Sequence, residues 1–133
     1  MFFTLEVTIP ALTTESAPKL DILKLAAGVI THISNKFPAG CHGLVGVRLF
    51  HEESQIIPIG RGSWVRGDDE TVPSPEYYDL GKGAKELEFV GINEDDTYPH
   101  TVTVRVNVLP KEAASLMPLI SFIEKLAKRI FGE

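Results

Sequence analysis

Residues 20–37 read LDILKLAAGVITHISNKF, and the conformation of this stretch separates two fold classes. Wound at 3.6 residues per turn, Leu20, Leu23, Ala27 and Ile30 share one apolar helical face. The same stretch carries Gly28, the β-branched run Val29, Ile30, Thr31, and the pair Ser34–Asn35, all mediocre or poor helix formers. Strands are therefore the favoured conformation, and the chain is expected to be mainly β. A helix over 20–37 would make it α+β, which stands as the alternative.

Outward from this stretch the strand signals are sharper. Phe3, Leu5, Val7 and Ile9 alternate with Thr4, Glu6 and Thr8, the period of two expected when one strand face is buried and the other wet. Val102, Val104, Val106 and Val108 alternate with Thr101, Thr103, Arg105 and Asn107 in the same way. Between them, 44–50, 55–59, 63–66, 76–80 and 86–92 predict further short strands, each bounded by Gly, Pro or acidic turn residues. Repeated short strands of this kind predict an antiparallel β-sandwich of jelly-roll or Greek-key type with seven or eight strands.

The pattern changes after residue 110. Leu116, Leu119, Ile120, Ile123, Leu126, Ala127 and Ile130 recur at spacings of three and four, one stripe of an amphipathic helix. Ser115 is placed to cap it, Pro118 falls in the first turn, and Lys125, Lys128 and Arg129 suit the C-terminal end of the dipole. The expected organisation is a β-sandwich over 1–110 and an amphipathic helix over 111–133, either part of the same domain or an assembly element.

Composition narrows the function classes. A chain of 133 residues with 44% hydrophobic and 23% charged residues is ordinary for one globular domain. A net charge of −5 argues against a broad nucleic-acid footprint. Cys41 is the only cysteine, which excludes an intramolecular disulfide framework. No secretory signal pattern or apolar run long enough to span a bilayer is evident, so a soluble protein in the cytoplasm or in a virion is expected.

No motif carries recognisable chemistry. His32, His42, His51 and His100, with Glu52 or Glu53, invite comparison with cupin-like metal sites, but the close His-x-His pair those sites need is missing. Cys41 beside His42 sets a thiol next to an imidazole, but adjacent residues on an extended strand point to opposite faces. The glycine turns at 60–62 and 81–83 lack the phosphate-cradling form. Arg66-Gly67-Asp68 matches an integrin-recognition tripeptide, which is too short to carry weight. Neither a catalytic residue, a metal site nor a cofactor is assigned. The acidic turns around Asp68, Asp69 and around Asp95, Asp96, with Trp64 and Tyr98 beside them, are the candidate ligand residues for a glycan or Ca²⁺.

The expected function is a non-enzymatic structural or assembly protein that forms homo-oligomers or docks on a larger assembly, of the kind found in virus or phage particles. The helical stripe, flanked by Met117, Phe122 and Phe131, carries more apolar surface than one small sandwich face needs. A glycan- or Ca²⁺-binding module is the alternative, and a small cupin-like metalloenzyme a third.

Overall fold

The computed structural model describes residues 1–60 and 62–112, together with Lys125 and Arg129. Nine strands run in the order β1 (Phe2–Ile9), β2 (Lys19–Lys24), β3 (Val29–Phe37), β4 (Val45–His51), β5 (Ser54–Ile57), β6 (Val65–Arg66), β7 (Glu70–Asp79), β8 (Glu86–Asn93) and β9 (His100–Leu109). They form two antiparallel sheets, one ordered β1-β9-β3-β7 and the other β2-β8-β4-β5, with β6 also paired to β4. The segment 20–37 is therefore two strands, one in each sheet, and the mainly β expectation holds over the α+β alternative.

Alternation decides which side chains meet between the sheets. Val7 and Ile9 of β1 and Val102, Val104, Val106 and Val108 of β9 are buried, while Thr8 and Thr101 face solvent and their hydroxyls lie 2.8 Å apart. Leu23, Val45, Val47, Leu49, Leu87 and Phe89 close the core from the five-stranded sheet. Full burial of each such aliphatic or aromatic side chain contributes about 1.5–3 kcal/mol, so this interior is the principal stabilising feature.

Three expectations need correction. The strands number nine among the described residues, not seven or eight, because two short strands share one edge: β5 pairs the C-terminal half of β4 and β6 the N-terminal half. The strand expected at 76–80 is the tail of a longer one, Glu70–Asp79. Pro73 and Pro75 obscure its beginning, yet β7 lies at the edge of its sheet, where a missing amide costs no ladder bond on the open side. The strand expected at 63–66 shrinks to Val65–Arg66, since Trp64 leaves the ladder to lie over β4. The stripe Leu116, Leu119, Ile120, Ile123, Leu126, Ala127 and Ile130 lies outside the described residues.

The helical spacing of Leu20, Leu23, Ala27 and Ile30 is not one face here: on β2 Leu20 is exposed and Leu23 buried, Ala27 lies in the connection, and Ile30 is buried in β3. β3 also carries an irregularity of its own. Both ladders of β3 shift register between Ile30 and His32, the mark of a bulge that places one extra residue in the strand. Ile30 and Ile33 consequently both point into the core, three residues apart instead of two. Beyond the bulge the period of two resumes, and Asn35 and Phe37 also turn inward.

Candidate functional site

Four connections gather at one end of the sandwich: 10–18 between β1 and β2, 38–44 between β3 and β4, 67–69 between β6 and β7, and 94–99 between β8 and β9. Backbone bonds tie them together. The Leu12 amide donates to the Asp95 carbonyl at 2.9 Å, Thr13 and Asn93 exchange bonds of 3.0 Å, the Glu94 amide reaches the Leu44 carbonyl, and the Asp69 amide reaches that of Pro38. All six candidate ligand residues are in or beside this end.

The acidic turns prove to be hydrogen-bonded scaffolds. Asp95 Oδ1 accepts the amides of Thr97 at 2.9 Å and Tyr98 at 3.2 Å, and Oδ2 lies 2.8 Å from His100 Nε2. The Thr97 amide foremost, then His100, hold the Asp95 carboxyl below the usual carboxylate range. Asp68 Oδ1 accepts the Gly40 amide at 3.1 Å. Its carboxyl is likewise lowered, chiefly by the His42 amide, with the His42 ring and the amides of Gly40 and Cys41 adding to the effect. Asp96 accepts the Thr97 hydroxyl at 2.8 Å, and Asp69 adopts a φ of +49°, a conformation Asp tolerates in turns. Tyr98 is 65% exposed and only its backbone takes part.

Asn93 holds this end together, and no sequence pattern marks it. It is wholly buried, and its Nδ2 donates to the carbonyls of Ile9 at 3.1 Å and Tyr98 at 2.9 Å. Its Oδ1 accepts the Asp95 amide at 3.0 Å. One side chain thus satisfies three backbone groups, one at the end of β1 and two in the 94–99 connection. Only its place ahead of an acidic turn, where Asn often bonds the backbone two residues on, hints at the role.

Asp95 and His100 have the form of an oriented imidazole, and Cys41 is the only thiol near them. Burial foremost, then the charges of Asp68 and Asp95, push the Cys41 thiol up. A thiol held protonated is a poor nucleophile. The four histidines are dispersed: His51 lies toward the opposite end, bonded to Tyr78 and the Ala84 carbonyl, and His42 is exposed beside Asp68 at 3.7 Å. Among the described residues no group of three or more His, Cys, Asp or Glu side chains is placed to hold a metal ion.

Trp64 lies over Gly46 of β4, where an added Cβ would come within 3.1 Å of the Trp64 Cβ. The Arg48 guanidinium sits 3.7 Å from the centre of the indole, its Nε donating to the Ser63 carbonyl at 2.9 Å and its terminal nitrogen to that of Gly62. Beside Trp64 runs a groove of about 350 Å³ lined by Leu12, Thr13, Thr14, Glu15, Arg66, Ile92, Asn93 and Glu94. Arg66 is anchored there on the Gly43 carbonyl and the Glu94 carboxylate.

A second surface carries no sequence signal of its own. Leu20 and Ile22 of β2 are 64% and 46% exposed on the outer face of the five-stranded sheet. They line a groove of about 330 Å³ with Asp21, Glu88 and Phe89. Opposite them across the ladders stand Val90 and Glu88, then Arg48 and Phe50. Among the described residues β2 pairs only β8.

Fold and site together define a two-sheet antiparallel β protein with a loop-end groove and, among the described residues, an apolar edge at β2 that only β8 pairs. No family model matches the chain, and no curated protein matches it. Among solved structures, the crystal structure of FLHE is similar with a TM-score of 0.45 and 15% identity, over 81% of this chain and 96% of that one. No helix among the described residues is long and apolar enough to cross a membrane.

Proposed function

We propose that this chain is a non-enzymatic assembly module, a jelly-roll sandwich whose five-stranded sheet associates edge-on with copies of itself or with a larger assembly. The strand order supports the jelly-roll topology: the chain crosses between sheets at every connection except those linking β4, β5 and β6, and the two sheets interleave as β1-β9-β3-β7 and β2-β8-β4-β5. The observation that carries the assembly role is the exposure of Leu20 and Ile22 on the edge strand β2, which among the described residues pairs only β8. Apolar surface on an open edge is a liability unless it is used.

Sedimentation of the full chain from low micromolar to near-millimolar concentration tests this. Association abolished by the double substitution Leu20→Lys with Ile22→Lys, without loss of thermal stability, supports the proposal. A double variant that sediments like the parent chain, whether both associate or both stay monomeric, refutes it.

A second function, saccharide binding at the loop end, is favoured by the groove beside Trp64 with its mixture of hydroxyl, carboxylate and guanidinium groups. Titration of a glycan panel followed by Trp64 fluorescence addresses it, and Trp64 is the sole tryptophan. Unchanged emission across the panel removes it.

A further inference from the structure

We infer that β2 pairs antiparallel with β2 of a second copy in the register centred on Leu20, so that two five-stranded sheets merge into one. The inference rests on the assembly role proposed above and names its partner and geometry.

The hydrogen-bond phase of β2 comes first. The Leu25 amide donates to the Lys85 carbonyl at 2.8 Å, extending the register in which Lys24 faces Glu86 and Leu23 faces Leu87. Bonded and non-bonded pairs alternate along an antiparallel ladder, so Leu23, Asp21 and Lys19 are bonded toward β8. Leu20, Ile22 and Lys24 therefore direct their amides and carbonyls to the open edge. The Ile22 amide agrees with this direction, since it donates outward to its neighbour's carboxylate, Asp21 Oδ1, at 2.8 Å.

Of the other edge strands among the described residues, β1 is eight residues long without proline and turns Phe2, Thr4, Glu6 and Thr8 outward, polar but for the first, and the remaining two are closed by composition. β7 carries Pro73 and Pro75, and β5 has only four residues before Pro58. Proline and shortness both discourage strand addition. On β2 the charged residues are Lys19, Asp21 and Lys24; Lys24 is paired to Glu86 across the ladder, and the bond from the Ile22 amide to the exposed Asp21 carboxylate can be exchanged.

Side-chain facing and charge then select the register. Directly opposed residues in an antiparallel pair share a face, so the outward residues Leu20, Ile22 and Lys24 must oppose one another or Pro18. If Leu20 opposed Ile22 of the second copy, Asp21 would face Asp21. If Ile22 opposed Ile22, Leu20 would face Lys24. With Leu20 opposite Leu20, Lys19 faces Asp21 of the second copy on both sides of the two-fold axis. Ile22 then faces Pro18, whose carbonyl accepts the Ile22 amide, while the missing Pro18 N–H leaves the Ile22 carbonyl to solvent, so each side of the axis beyond Leu20 contributes one bond instead of two. Only this arrangement pairs the opposite charges and releases Asp21 from its own strand to a new partner.

Cysteine trapping tests the register in the full chain. Bonded antiparallel partners have Cα atoms about 5.5 Å apart, within disulfide range, so Leu20→Cys is expected to cross-link into a dimer under oxidised glutathione. In the same register two Ile22 positions are offset by four residues, about 13 Å, so Ile22→Cys is expected to remain monomeric. The wholly buried Cys41 is controlled by the parent chain. Lys19→Asp or Asp21→Lys alone is expected to weaken dimerisation roughly tenfold, and the double exchange to restore it. Absence of a Leu20→Cys cross-link, equal cross-linking by Ile22→Cys, or tighter dimers from Asp21→Lys overturns the inference. If any of these occurs while Leu20→Lys with Ile22→Lys still abolishes association, the assembly role stands and this pairing alone falls.

Discussion

Asn35 offers the sharpest test of the core. It sits in the middle of β3 between Val104 of β9 and Val72 of β7, is wholly buried, and neither its Oδ1 nor its Nδ2 has a hydrogen-bond partner. Leaving buried polar groups unpaired costs about 1–3 kcal/mol, and replacing them by an apolar group of similar size removes that cost. Asn35→Val also suits a pleated strand, where β-branched residues are favoured. The expected gain is therefore about 1–3 kcal/mol. With about 2.1 cal/mol/K of unfolding entropy per residue, a chain of this length gains about 3–4 °C per kcal/mol, so Tm rises by about 4–11 °C. Urea unfolding should show a higher midpoint at unchanged slope, which separates a native-state gain from altered compactness of the unfolded chain. Asn35→Asp, which places a charge at the same point, should fall in the opposite direction. A lower midpoint for Asn35→Val would refute the reasoning, because it would mean that the amide makes bonds in solution worth more than its desolvation.

Other perturbations follow from single contacts. Gly28 has a φ of +145°, and a Cβ there would lie 2.2 Å from the Leu109 carbonyl oxygen; backbone atoms cannot rotate aside, so Gly28→Ala should cost more than about 2 kcal/mol in denaturant unfolding. Because its folded pKa is depressed, Asp95 contributes stability above the ordinary carboxylate value of about 3.9, which is lost as pH falls from there through the lower folded value. Asp95→Asn should thus be less stable at neutral pH and show a flatter acid limb in thermal melts. The Ala84 carbonyl only accepts, so His51 Nε2 at 2.7 Å must carry the proton, leaving Nδ1 to accept the Tyr78 hydroxyl at 2.8 Å. Tyr78→Phe strands that nitrogen and should lower stability by about 1–2 kcal/mol, read from the urea midpoint.

What can be read without coordinates depends on how uniformly a segment obeys one period. Phe3 to Ile9 and Thr101 to Leu109 alternate without interruption, so their buried faces are identifiable residue by residue. The segment 20–37 is ambiguous because Leu20, Leu23, Ala27 and Ile30 fall at helical spacing even though they lie on two strands and the turn between them. β7 is half hidden because Pro73 and Pro75 argue against a strand unless its edge position is known, and edge position is a tertiary fact. The loop end is legible as acidic turns beside Trp64, but Asn93 draws its importance from Ile9 and Tyr98, one of which is remote in the chain. Leu20 and Ile22 resemble core residues by type, and only the end of the sheet beyond them shows that nothing among the described residues covers them.

This last point shifts the physical basis for assembly from the C-terminal stripe to β2, and it also bounds the strength of the association. Partial burial of Leu20 and Ile22 from two copies contributes about 2–4 kcal/mol. Four edge hydrogen bonds add about 2–6 kcal/mol. Association costs about 4–15 kcal/mol in lost translational and rotational freedom. Gains and cost are of the same size, so the edge pairing alone supports a weak dimer that covalent trapping reveals more readily than sedimentation at low concentration. A persistent assembly needs further buried surface of the size found in stable interfaces, about 1,200–2,000 Å² in total. The sequence stripe from Leu116 to Ile130 is the apolar stretch expected to supply such surface beyond the described exposed residues, which makes truncation after Lys111 informative. If truncation leaves the Leu20→Cys cross-link intact but lowers the oligomer seen by light scattering, the two elements act in series, with β2 setting geometry and the C-terminal segment setting affinity. If truncation abolishes the cross-link as well, the edge cannot form the pair unaided, and β2 is a secondary contact.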